Sequence, residues 1–452
     1  MDKALGILKQ YYGYSSFREG QEEIIREILN GNDVLTIMPT GGGKSICYQV
    51  PAILLDGITI VISPLISLMK DQVDNINNLG IKSAYINSSL SNIEINNILD
   101  EAAKNEIKIL YVAPERLESQ AFIELIASIN VSMVAIDEAH CVSQWGHDFR
   151  SSYRRISRVI SLLRNRPIVT AFTATATDEV RKDIVNLLKL NNPKVFISGF
   201  DRKNLKIIIE KGVNKKNYIL NYINNNRNES GIIYASTRKE VETIYEGLLK
   251  RNYSVAKYHA GLSNEARKEY QENFINDDIK IMVATNAFGM GIDKPNIRWV
   301  LHYNMPQSIE NYYQEIGRAG RDGEDSECVL LFSPGDVHTQ KYLVEVGIEN
   351  PERKRVQYKK LQQMVDLVYS NTCYRKNILN YFGEPFLEDC NNCSNCLNEG
   401  EVVDKTLDAQ KVISCIARMK RSFGATMIID VLRGSKNKKV LDLGFDTLTT
   451  YG

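Results

Sequence analysis

Twice along this chain, short β-branched runs alternate with longer stretches of helical periodicity, and that alternation restricts the fold to parallel sheets covered by helices on both faces. Between residues 30 and 200 the runs are VLTIM, ITIVIS, IKILYV, SMVAID and PIVTAF, separated by stretches such as LISLMKDQVDNINNLG. A second set follows, with GIIYAS, SVAKYHA, IKIMVAT and IRWVLHY as strands and RKEVETIYEGLLK and NEARKEYQENF as helices. Two α/β domains in tandem are therefore expected, joined near GFDRKNL at 199–205, with NYINNNRNES at 221–230 a polar turn inside the second. From about 336 the pattern turns helical and a cysteine cluster follows. The 452 residues leave room for about three domains. The chain has no run of 18 apolar residues, and its start, MDKALGILKQYY, lacks a basic segment followed by an apolar one, so neither a membrane span nor an export signal is expected.

Three motifs lie on this framework. MPTGGGKS at 38–45 follows a strand run and precedes a helical one, so Thr40, Gly41, Gly42 and Gly43 fall on a strand-to-helix turn whose N–H groups can face phosphate oxygens. Lys44 adds a point charge for the β- and γ-phosphates, and the Ser45 hydroxyl can hold Mg²⁺. The strict phosphate-loop pattern has glycine where this chain has Met38. DEAH at 137–140 ends the strand run SMVAI, placing Asp137 to hold the metal's water shell and Glu138 to orient and deprotonate an attacking water. QEIGRAGR at 314–321 begins with Gln314 and carries Arg318 and Arg321, which three-residue spacing would put on one helical face, within reach of charge developing on a transferred phosphoryl group. Taken singly, each motif is better explained by a loop, a solvated strand end or a basic turn. Their joint order is that of an NTP-driven motor.

Of the eight cysteines, Cys47, Cys141, Cys328 and Cys415 are isolated and suit small buried positions. Cys390, Cys393 and Cys396 form C-x2-C-x2-C, and Cys373 lies in the helix start TCYRKNILNYFGE. Four thiolates suffice for a closed, structural Zn²⁺ site, with a disulfide pair or an iron–sulfur cluster as the rival readings. The net charge of +1 conceals local fields: PERKRVQYKK at 351–360 has five basic residues, and residues 405–440 carry nine Lys or Arg against Asp408 and Asp430. Either a polyanion or plain solvent could face them.

Read outward from the motor motifs, the chain resembles the RecQ family of DNA helicases from about residue 5 to its end. FREGQEEII at 17–25, SPLISLMKDQ, APERL, AFTATAT, YHAGL and VATNAFGMGIDKPNIRWV match family segments. The resemblance implies that Tyr14 stacks on adenine, that Arg18 and Gln21 read the base edge, and that Asp293 lies near the ribose. It makes Arg321 the finger that completes the ATP site across the domain cleft, with Arg318 beside it. CVSQWGHDFR after DEAH resembles the family's aromatic-rich loop, in which Trp145, His147, Phe149 and Arg150 offer a stacking face and cations to single-stranded nucleic acid. The cysteine cluster resembles the family's zinc module.

The implied architecture is α/β: RecA-like motor domains at 1–200 (ATP-binding) and 201–335, a helical zinc-binding module at 336–400, and a winged-helix domain at 401–452 that is incomplete at Gly452. The implied activity is an ATP-dependent 3′–5′ DNA helicase or translocase using ATP, Mg²⁺ and structural Zn²⁺, and acting on single-stranded and tailed or forked DNA in recombination and repair. A bacterial, cytoplasmic, nucleoid-associated location goes with it. An RNA helicase of the same motor superfamily is the alternative, and a non-catalytic nucleic-acid scaffold is disfavoured by Lys44, Glu138 and Arg321. With the winged helix cut short, blunt duplex is expected to be held poorly.

Overall fold

Strands buried on both faces need continuous apolar runs, and the first set of runs forms one sheet. The computed structural model describes residues 1–289, 294–398 and 404–452, apart from the Ser67 side chain. The first sheet comprises β1 (Val34–Ile37), β2 (Ile58–Ile62), β3 (Ser83–Ile86), β4 (Ile109–Val112), β5 (Val131–Ile136), β6 (Ile168–Thr173) and β7 (Lys194–Ile197). Their order is β3-β4-β2-β5-β6-β1-β7, every neighbouring pair parallel. The second sheet comprises β8 (Leu205–Lys211), β9 (Ser230–Tyr234), β10 (Val255–Tyr258), β11 (Ile281–Ala284), β12 (Ile297–His302) and β13 (Ser326–Phe332), ordered β10-β11-β9-β12-β13-β8 and again parallel throughout. Two tandem parallel-sheet domains of the RecA-like kind are thus present. The carboxyl ends of such strands form the crevice where ligands bind.

Four strands are not signalled by the runs read above. β3 and β7 are edge strands, β3 partly buried and β7 largely exposed, β8 alternates because one face meets other chain segments, and β13 is a buried run closely following the arginine motif. The expected polar turn at 221–230 is also shorter than the sequence suggests. The helix Lys215–Asn225 continues into it, because Ile219 and Ile223 share a buried face, and β9 begins at Ser230.

Beyond β13 the described residues form helices, beginning with Pro334–Gly347, Pro351–Tyr369 and Tyr374–Tyr381. The cysteine segment lies along β8, the exposed edge of the second sheet: Ile207 N–H donates to Asn392 O at 3.3 Å and Ile209 N–H to Ser394 Oγ at 3.1 Å. This pairing covers donors that an open edge would leave bare. A second compact unit, Asn398–Gly452, packs Cys415, Met419, Val431, Val440 and Phe445 together, with Lys411, Arg418, Lys420 and Arg421 exposed on its surface. No helix among the described residues is long and apolar enough to cross a membrane.

Candidate active site

The phosphate loop leaves β1 and enters the helix Lys44–Leu54 through Gly41 and Gly43, both with φ of +83°, a backbone region in which a side chain would be strained. A Cβ on Gly42 would lie 2.5 Å from Met38 Cγ, so the Met38 side chain fills the space beneath the loop. Its backbone does the loop's work: Met38 N–H donates to Thr173 O, and Met38 O accepts from Lys44 Nζ at 3.1 Å. A methionine in place of the usual glycine is accommodated for that reason. Arg18 Nη1 donates to Gly41 O at 2.7 Å, and Gln21 Nε2 donates to Gly42 O and Gly43 O at 3.3 and 3.2 Å. Both side chains therefore brace the loop's carbonyls, while Tyr14 is exposed. Ser45 lies next to the Tyr48 hydroxyl.

Asp137 and Glu138 follow β5 into the same crevice. Burial, reinforced by Glu138, holds the Asp137 carboxyl well above its ordinary value, with Lys44 pulling it back. Burial likewise raises Glu138, opposed by Lys44, Arg318 and Arg150. Glu138 sits at φ 46°, ψ 47°, a left-handed conformation uncommon for a residue with a side chain and often found at functional sites. Its Oε2 is buried and accepts no hydrogen bond from the described residues. His140 Nδ1 is 3.3 Å away but pairs instead with Thr173 Oγ1 at 2.8 Å. A glycine cradle, a cation, a hydroxyl and two largely buried carboxylates converge here, which fits Mg²⁺ and a nucleoside triphosphate: Lys44 and Ser45 would hold phosphate and metal, Asp137 the metal's waters and Glu138 the attacking water. ATP with Mg²⁺ supplies the phosphoryl group and its charge neutralisation when bound.

The arginine motif departs from the expected helical face. The helix Ile309–Ile316 stops before either arginine, because Gly320 takes φ +55° and turns the chain. Arg318 is buried and donates to Gly289 O. Arg321 crosses to the first domain, where its Cγ is 3.4 Å from the position a Cβ would take on Gly41. Asp293 lies outside the described residues.

The aromatic-rich loop is pinned beside DEAH. Trp145 is 43% exposed, which rules out a core role. Two guanidiniums approach the Phe149 ring, Arg154 at 5.2 Å and Arg353 at 4.8 Å from its centre. The His147 ring stacks on His140 at 4.1 Å, and burial together with His140 holds its pKa well below the ordinary value. Arg150 is tied to Asp148 and to Pro64 O. A cleft of about 490 Å³ opens between this loop and the second domain, lined by His147, Arg150, Gln314, Arg318 and Arg353 among others. Of the five basic residues in 351–360, Arg353 covers Phe149, Lys354 pairs with Glu345 and Lys360 pairs with buried Glu310 at 2.5 Å, leaving Arg355 and Lys359 exposed. Most of that charge is structural.

The sulfur atoms of Cys373, Cys390, Cys393 and Cys396 lie within 4.8 Å of one another, with Cys390–Cys396 at 3.9 Å and Cys393–Cys396 at 3.4 Å. Zn–S bonds of about 2.3 Å in a tetrahedron put sulfurs roughly 3.8 Å apart, whereas a disulfide needs about 2.05 Å. Backbone N–H groups of Lys376 and Asn392 donate to Cys373 and Cys390, as expected for thiolates. The set fits a closed structural zinc.

Matches to known families follow this division. Residues 18–184 match the DEAD/DEAH box helicase family, 214–323 the helicase conserved C-terminal domain, 334–397 the RecQ zinc-binding family and 399–452 the RQC domain. The chain is 51% identical to the ATP-dependent DNA helicase RecQ of Bacillus subtilis (strain 168), covering 100% of this chain and 76% of that protein. This chain belongs to the RecQ family of ATP-dependent DNA helicases. The RecQ helicase of Haemophilus influenzae is 43% identical, covering 99% of this chain and 72% of its own. Among solved structures, S. cerevisiae Dbp5 bound to RNA and ADP BeF3 shares the fold with a TM-score of 0.61 at 18% identity, over 78% of this chain and 97% of that one. The zinc-binding match decides against an iron–sulfur cluster.

Three outcomes are expected. Lys44→Ala should lose ATP binding and hydrolysis together, whereas Glu138→Gln should bind ATP with near wild-type affinity and hydrolyse it about 10² to 10⁴ times more slowly, read by nucleotide titration and steady-state rates. Asp137→Asn should abolish hydrolysis yet melt higher than wild-type without nucleotide. A carboxyl raised on folding loses stability as pH climbs from its unfolded value of about 3.9 through its folded one, so the gain should grow between pH 5.5 and 8. Cys393→Ala should lower zinc below one equivalent and reduce the melting temperature more than turnover, checked by metal analysis and thermal denaturation.

Proposed function

We propose that this chain moves 3′ to 5′ along single-stranded DNA and opens tailed or forked duplexes in recombination and repair, in the bacterial cytoplasm at the nucleoid. The observation that carries the motor reading is the reach of Arg321, from the second sheet, to the phosphate loop of the first. In the closed site Lys44 holds phosphate, Glu138 orients the attacking water and takes its proton, and Arg321, with Arg318 beside it, stabilises the charge on the transferred group, a contribution on the order of 10³ to 10⁵ in rate. Gln314, in the adjoining cleft, serves the same step. Hydrolysis removes the ligand that both domains grip, so the domains part and the cycle advances one strand.

The ATP-binding motor domain spans 1–200, its partner 201–335, the zinc module 336–400 and the winged-helix segment 401–452. Tyr14 stacks on adenine, Arg18 and Gln21 exchange their loop carbonyls for the base edge, and Asp293 meets the ribose. Trp145 and Phe149 give stacking faces to the strand, with His147 as a neutral support and Arg150 as the cation.

The test is unwinding of 3′-tailed, 5′-tailed and forked duplexes with and without ATP, together with ATPase stimulation by single-stranded DNA and by RNA of equal length. Unwinding from the 3′ tail and stronger stimulation by DNA are expected; preference for RNA would establish an RNA helicase instead. Trp145→Ala should retain basal hydrolysis while losing most of the stimulation, because Trp145 lies beside DEAH without touching the phosphate loop.

A further inference from the structure

The segment joining the two sheets is bonded to the arginine motif. Arg202 Nη2 donates to Ala319 O at 2.9 Å and Gly320 O at 2.7 Å, and its Nη1 donates to Gly317 O at 3.4 Å. Asn204 Nδ2 adds bonds to Gly320 O and Glu324 O, each 2.9 Å. The carbonyl of Gly317 immediately precedes Arg318, and those of Ala319 and Gly320 immediately precede Arg321. Capping the helix Ile309–Ile316 would account for a cation on Gly317 O. It does not account for the other two, which lie beyond the helix on the turn that aims Arg321.

Arg202 is itself held. Arg375, buried, donates to Asp201 Oδ1 at 2.6 Å, to Arg202 O at 2.6 Å and to Leu205 O. Tyr313 Oη donates to Phe200 O at 2.7 Å, and Phe200 stacks on Phe382 at 4.7 Å. The linker is thus fixed from the zinc module on one side and grips the finger turn on the other.

We infer that Arg202 is a positioning residue for ATP hydrolysis: its guanidinium fork sets the turn 317–320 so that Arg321 reaches the phosphate loop at Gly41. This rests on Arg321 being the finger. It assigns to the interdomain linker a role beyond connecting the sheets, since a change in the linker's backbone is transmitted through one side chain to the catalytic turn.

The experiment uses the full chain with single-stranded DNA, comparing Arg202→Ala, Arg321→Ala and the double variant by kcat, KM for ATP, binding of a fluorescent ATP analogue and melting temperature. Misplacing a catalytic group by about 1 Å can cost on the order of 10² in rate. Arg202→Ala is therefore expected to lower kcat about 10- to 100-fold, with KM and analogue affinity within about twofold. The double variant should be no slower than Arg321→Ala alone within about twofold, because both changes act through one group. Wild-type kcat in Arg202→Ala, or losses that multiply in the double variant, would overturn the inference. Wild-type kcat in Arg321→Ala would instead overturn the finger assignment. If Arg202→Ala does not fold, Arg202→Lys is read the same way: one ammonium cannot span three carbonyls, so a loss of about fivefold is expected, and unchanged kcat overturns the inference.

Discussion

Two adjacent, largely buried carboxylates are costly, and the active site is arranged around holding them there. Asp137 and Glu138 sit where a parallel sheet ends, and removing them from water raises both carboxyls against their ordinary values. Lys44 opposes that rise from the phosphate loop, while Arg318 and Arg150 act on Glu138 from the second domain and the aromatic-rich loop. The compensating charges thus come from three separate parts of the chain. None of those parts is near DEAH in sequence except the aromatic loop, so the tandem arrangement of sheets is a requirement of the chemistry as well as of packing. Such a site is also poised for a divalent cation, whose charge would restore both carboxylates to their ionised state.

The edge of the second sheet poses a different problem. β8 begins that domain yet lies at its margin, with its outer N–H groups facing away from β13. The cysteine segment supplies Asn392 O and Ser394 Oγ to those groups. A four-thiolate metal site is suited to this task, because it fixes the backbone of a short loop without needing a core of its own. Arg375, two residues after Cys373, extends the same hold to the linker at Asp201, Arg202 and Leu205. The zinc module therefore braces the motor in addition to any surface it offers to nucleic acid.

What was legible in the chain followed from local physics. Strands such as ITIVI and VSMVAI are buried on both faces and read as unbroken apolar runs, and the glycines of the phosphate loop mark a turn that L side chains resist. The cysteine spacing likewise brought together the four sulfurs that the fold collects. Features set by distant partners were illegible. The three-residue spacing of Arg318 and Arg321 suggested a helical face, but Gly320 ends that geometry and sends the two guanidiniums to different places. The basic run at 351–360 reads as an exposed field until Phe149, Glu345 and Glu310 are placed against it, from sequence distances that no periodicity reports. Arg202 offered no signal beyond lying in a segment that looked like a junction.

The proximity of the aromatic-rich loop to DEAH is more than adjacency in sequence, because the loop is fastened to the catalytic turn by its backbone. A Cβ on Gly146 would come within 2.3 Å of His140 O, so at this point the two segments pass as closely as backbone allows. Arg150 N–H donates to Cys141 O at 2.9 Å, and Tyr153 Oη donates to Asp137 O at 2.9 Å, closing the loop onto the carboxylate residue itself. His147 stacks on His140, whose Nδ1 lies beside Glu138. A neutral histidine pair transmits position rather than charge, and burial holds both rings well below their ordinary pKa. Glu138 meanwhile stands in a left-handed conformation that its surroundings must enforce. A strand that stacked on Trp145 and shifted this loop would therefore act on a residue whose own backbone is left-handed, through the bonds that tie the loop to the catalytic turn.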